Sequence, residues 1–138
     1  MRTIDEIADR AAELDDGNRW QIIIDHTMQK GDAMASPFGR KIFMAPEYLD
    51  DTKAYPEALD AALLHEMGHH YDWHLSGWFA CVLLLVACIF LISPIFAVPA
   101  IAVALFRLFR EDYFENRADR WAQARFPHED YFRHKNAV

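Results

Sequence analysis

The sequence predicts an α+β fold: a small antiparallel sheet, a helix bearing "HEMGH" and a helix bearing "ENRAD", with the two helices joined by an α-helical transmembrane hairpin. Three observations predict it. Short apolar runs separated by turn residues fill residues 20–45, the pattern H-E-x-x-H lies inside an unbroken helical stretch, and residues 75–109 hold no charge before Arg107. The 138 residues amount to one domain, read as 1–74 (helix, sheet and HExxH helix), 75–109 (hairpin) and 110–138 (glutamate helix and tail).

The first helix follows from Ile4, Ile7, Ala8, Ala11 and Leu14, which recur on one face among charged residues until Gly17 stops the run. No apolar h-region stands among residues 1–16, so no cleaved signal peptide is predicted. "WQIIID" and "KIFMA" are β-branched or apolar strand candidates, and "DAMAS" is a third, with a turn at Pro37 and Gly39. Pro46 and "EYLDD" close the sheet, and Pro56 stands where a helix over "EALDAALLHEMGHHYDW" would begin.

The run 75–109 would be roughly 52 Å long as one helix, against a hydrocarbon core of about 30 Å. Pro94 and Pro99 offer a break into two arms of roughly 28 and 22 Å. A down-and-up pass would return residue 110 to the side that residue 74 left. All Lys and Arg then fall on one membrane face, which the positive-inside rule places in the cytoplasm with both termini and the site. Trp73, Trp78 and Trp121 flank the run as interface or core indoles, and Cys81 and Cys88 read as buried thiols. A soluble oligomer that uses the hairpin as its interface is the competing arrangement. The net charge of −7 speaks against nucleic acid as a partner.

On a helix, residues i and i+4 share a face, so His65 and His69 can offer nitrogens to one ion while Glu66 stands beside them as a base. Gly68 removes a side chain near that ion. A third ligand is needed, and "ENRAD" offers Glu115, with Asp119 one turn on to accept a proton from a ligating imidazole and orient it. Glu111 and Asp112 are the alternative carboxylates. His70 and His74 point away from His69 and read as surface or interface residues, while His26 and Met34 have no obvious partner.

The order of "DAMAS", "KIFMAPEYLD", "LLHEMGHH", an apolar hairpin and "ENRADRWA" resembles the membrane zinc metallopeptidases of the HtpX and CAAX prenyl endopeptidase type, from about Trp20 to Arg125. The resemblance implies one Zn²⁺ per chain held by His65, His69 and Glu115, Glu66 as catalytic base, Asp119 behind a ligand, and Ala33, Met34 and Ala35 as an edge strand that pairs with an extended protein or peptide substrate. It further implies an endopeptidase embedded in a lipid bilayer. The family's His-Pro…Arg segment has no clear counterpart; Arg125, His128, Tyr131, Arg133 and His134 are candidates for its oxyanion role. A membrane module that binds zinc without cutting is the alternative function.

Overall fold

The computed structural model describes residues 1–36, 38–72, 83–85, 87–89, 91, 92, 98, 99, 102, 106 and 111–138. Helix α1 (Ile4–Leu14) starts at a reciprocal cap: Thr3 Oγ1 accepts from the Glu6 amide at 3.2 Å, and Glu6 Oε2 accepts from the Thr3 amide at 2.7 Å. Its buried face is Ile7 and Ala11, as the periodicity predicts, and the chain turns away at Asp16 and Gly17, both at positive φ.

Strands β1 (Gln21–Ile24), β2 (Ala33–Ala35) and β3 (Lys41–Met44) form one sheet in the order β1-β3-β2. The expected antiparallel sheet is corrected to a mixed one. β2 and β3 are an antiparallel hairpin, but β1 runs parallel to β3, with Ile22 opposite Ile42. The reason lies in burial. Ile42 and Met44 are fully buried, so β3 takes the centre, and β2, with two weakly strand-forming alanines and no buried residue, is left at the edge.

A 3-10 turn at Pro46–Leu49 leads to α2 (Pro56–Tyr71), which starts with Pro56 in its first turn. Helix α2 is buried almost all round, because α1, β2 and the two later helices α3 (Glu111–Arg125) and α4 (Tyr131–Lys135) all pack on it. Ile7, Ile22, Ile42, Met44, Leu63, Leu64, Met67 and Tyr131 share one core. Arg10 on α1 grips Asp60 on α2 through two contacts of 2.7 Å. Helix α4 lies in the tail, where the sequence predicts no helix.

Among the described residues no helix is long and apolar enough to cross a membrane. The transmembrane hairpin is therefore corrected, and with it the integral-membrane localisation with both termini in the cytoplasm. The described parts of 83–106 are short helical pieces with Leu84, Leu85, Leu91, Ile92 and Val98 exposed, and the remainder of 75–109 lies outside the described residues. An uncharged run measures how much apolar surface must be covered, not what covers it. Cys88 is exposed, against the expected burial. Cys81, Trp73, Trp78, His74, Arg107 and Arg110 lie outside the described residues.

Candidate metal centre

The site forms where α2 and α3 cross. Glu115, Ala118, Asp119 and Ala122 follow one another at i, i+3, i+4 and i+7 on α3, and Ala118, Asp119 and Ala122 are buried. Small residues bring the backbones close. A Cβ built on Gly68 would stand 2.7 Å from the Ala118 carbonyl oxygen and 2.9 Å from its Cα. Gly68 is thus a contact point between helices, and the space it leaves is filled by Ala118 rather than by a ligand. At the C-terminal end of α2, Asp72 pairs with Arg117 of α3 at 2.7 Å.

His65, His69 and Glu115 form the group that could hold a metal ion. The two Nε2 atoms are 3.1 Å apart, His65 Nε2 is 3.1 Å from Glu115 Oε2, and His69 Nε2 is 3.0 Å from Glu115 Oε1. Nitrogen and oxygen ligands at about 2.0–2.1 Å from a tetrahedral ion stand about 3.3 Å from one another, so these separations match such a donor set. Lone pairs converge on one point, an arrangement that needs a proton or a cation at its centre. The His65 and His69 imidazoles beside it hold the Glu115 carboxyl far below the usual carboxylate range. Desolvation pulls the His69 imidazole down, but the hydrogen bond to Glu115 and the charge of Glu66 outweigh it and leave the ring raised.

Asp119 stands behind His65, its Oδ1 2.8 Å from Nδ1. A carboxylate only accepts, so Nδ1 carries the proton and Nε2 is left with its lone pair toward the site. Two more residues complete this hub, Tyr131, which the sequence offers for a different role, and Lys135, which it does not single out: Tyr131 Oη donates to the same Oδ1 at 2.9 Å, and Lys135 Nζ at 2.7 Å. Burial raises the Asp119 carboxyl, yet the bonds from Lys135 and Tyr131 outweigh it and keep the group below its ordinary value. Burial and the bond to Asp119 push the Tyr131 phenol well up. No spacing pointed to Lys135, because α4 reaches Asp119 only through the turn after Arg125.

Glu66 faces a cleft of about 340 Å³ lined by Ala33, Met34, Ala35, His65, Glu66, His69 and Glu115. Burial is the main influence on its carboxyl and pushes the pKa up, against the opposing pull of His65 and His69. Oε2 accepts the Ala35 amide at 2.8 Å. That bond fits the phase of the hairpin. The bonds Ser36 N to Lys41 O (2.8 Å) and Ala45 N to Asp32 O (2.9 Å) make 36/41 and 32/45 hydrogen-bonded pairs, so Ala33 and Ala35 turn their backbone groups away from β3. The free edge of β2 is therefore a wall of the cleft, and Met34 is 56% exposed there.

The other sequence candidates are placed elsewhere. His128 meets Asp60 at 3.1 Å, His134 meets the Tyr55 hydroxyl at 2.9 Å, and Arg125 lies over the Trp121 ring. Tyr131 is buried on Asp119, and none of these, nor Arg133, lines the cleft. His70 is half-buried and packs edge-on against Trp20. Glu111 and Asp112 open α3, with side chains outside the described set. Compared with family models, with curated proteins and with solved structures, the chain finds no match in any of the three.

Proposed function

We propose that the protein is a zinc-dependent endopeptidase, with His65, His69 and Glu115 as the metal ligands and Glu66 as the base. The observation that carries the reading is the common cleft: the three donors, a buried carboxylate beside them and an open strand edge line one cavity. Two imidazoles and a carboxylate are the donor set of hydrolytic zinc, which when bound supplies a Lewis acid that polarises a carbonyl and makes water acidic.

The protein's own groups supply the remaining steps. An extended substrate adds to β2 through the Ala33 backbone groups and the Ala35 carbonyl, which face away from β3, and this sets the scissile carbonyl over the cleft. The Ala35 amide holds Glu66 Oε2, so Oε1 is the atom that takes a proton from the attacking water. Burial raises the proton affinity of that carboxyl, which suits a base that must later release its proton to the leaving amine as the C–N bond breaks. Asp119 fixes the tautomer and tilt of His65.

One observation favours a second reading, a zinc-binding module that cuts nothing: among the described residues that line the cleft there is no Arg, Lys or Tyr to stabilise an oxyanion. One set of samples separates the two. Zinc content and casein cleavage are measured for wild type, Glu66→Gln and Glu115→Ala. The endopeptidase reading expects about one zinc per chain and cleavage in wild type, zinc without cleavage in Glu66→Gln, and neither in Glu115→Ala. Cleavage by Glu66→Gln at near wild-type rate would end the assignment, and a wild type that holds zinc without cutting would favour the binding module.

A further inference from the structure

Three donors converge on one oxygen of Asp119. His65 Nδ1 lies at 2.8 Å, Tyr131 Oη at 2.9 Å and Lys135 Nζ at 2.7 Å, all on Oδ1. A carboxylate oxygen has about two lone-pair directions, so three donors divide what two would take whole. They also differ in surroundings: Tyr131 is 3% exposed, and the Lys135 side chain is 24% exposed at the rim of the hub. The shortest of the three contacts thus belongs to the only full positive charge in the group.

A carboxylate behind a ligating imidazole strengthens the ligand by drawing on its Nδ1 proton. A competing ammonium on the same oxygen weakens that pull and also sets a positive charge behind a ligand of a cation. Both effects have one sign. We infer that Lys135 is a positioning residue that holds metal affinity down, by sharing Asp119 Oδ1 with His65 and so limiting the electron donation of the His65 imidazole to the ion. The inference rests on the zinc reading above. It assigns α4 a role in that site: the helix delivers a charge that keeps the centre from becoming an over-tight, electron-rich sink and leaves the ion more electrophilic. Tyr131, neutral and buried, holds the carboxylate in place; Lys135 tunes it.

The sign separates tuning from simple anchoring. Were Lys135 only a tether between α4 and α3, its loss would slacken Asp119 and weaken metal binding. Tuning expects the reverse. The experiment is competition of the full chain against a chromophoric chelator for Zn²⁺, with melting of the metal-free protein measured in parallel, for wild type, Lys135→Met, Lys135→Arg and Asp119→Asn. Lys135→Met is expected to bind zinc about tenfold more tightly while its metal-free melting temperature stays level or falls, Lys135→Arg to bind as wild type does, and Asp119→Asn to bind about ten- to a hundredfold more weakly. Lys135→Met affinity equal to or below that of wild type overturns the inference. Should Lys135→Met not fold, Lys135→Gln carries the same expectation and the same refutation. A wild type that binds no zinc overturns the zinc reading itself and the inference with it, whereas wild-type binding without the Lys135 effect overturns the inference alone.

Discussion

Gly68→Ala tests whether the helix crossing sets the site. On propensity alone the change should help, since alanine is favoured over glycine in a helix interior by about 1 kcal/mol. Contact opposes it. The new Cβ would stand 2.7 Å from the Ala118 carbonyl oxygen and 2.9 Å from Ala118 Cα, both backbone atoms that no rotamer change can move. Ordinary contact begins near 3.4 Å, so α3 must withdraw by about 0.7 Å. Overpacking of this kind costs about 1–3 kcal/mol, which leaves a net loss of about 1 kcal/mol and a melting temperature lowered by roughly 3–4 °C. The site suffers more than the fold. Ala118 lies between Glu115 and Asp119, and the Asp119 to His65 contact of 2.8 Å would stretch to about 3.5 Å if the shift were transmitted whole, beyond hydrogen-bond range. Zinc affinity should therefore fall at least about tenfold while circular dichroism stays that of the wild type. A Gly68→Ala protein that melts higher and binds zinc as tightly as wild type would refute the argument from helix contact.

Two further expectations come from neighbouring contacts. Ala35→Pro removes the amide that holds Glu66 Oε2 but no bond to β3, so the edge strand should survive and zinc should stay bound, while casein cleavage drops about a hundredfold; unchanged cleavage would show that neither the amide nor the edge matters. Asp60→Ala strips a buried carboxylate from Arg10 and His128 and should cost about 2 kcal/mol, less than a fully buried pair because the Arg10 side chain is 35% exposed, with a melting temperature lowered by roughly 6–8 °C; a loss below about 2 °C would mean that the α1 to α2 clamp contributes little.

The helices and the donor set were legible because each rests on local chemistry. The face formed by Ile7 and Ala11, the start at Pro56 and the i, i+4 pairs His65/His69 and Glu115/Asp119 are properties of single helices, and helical geometry brings their side chains together wherever the helices go. Strand order is not local. The apolar runs at Ile22 and Ile42 give no sign of parallel pairing, which is decided by β3 being buried on behalf of the whole domain. Lys135 was out of reach for the same reason: a lysine in a polar tail reads as solvated until a turn lays it on Asp119, sixteen residues back in the chain.

An apolar run long enough for a hairpin and a site that needs residue 115 beside residue 65 are separate requirements. The second requires only that the chain return to where it left. The described contacts hold that return in place: Gly68 lets Ala118 within van der Waals reach of α2, Ala122 is buried in the same core, Arg117 pairs with Asp72, and α4 ties Asp119 from the other side through Tyr131 and Lys135. Among the described residues these contacts all lie outside 75–109, and they hold the geometry of the candidate metal centre. The candidate centre then answers to Gly68 and Asp119, which is why a methyl group at residue 68 is a sharp probe of the site.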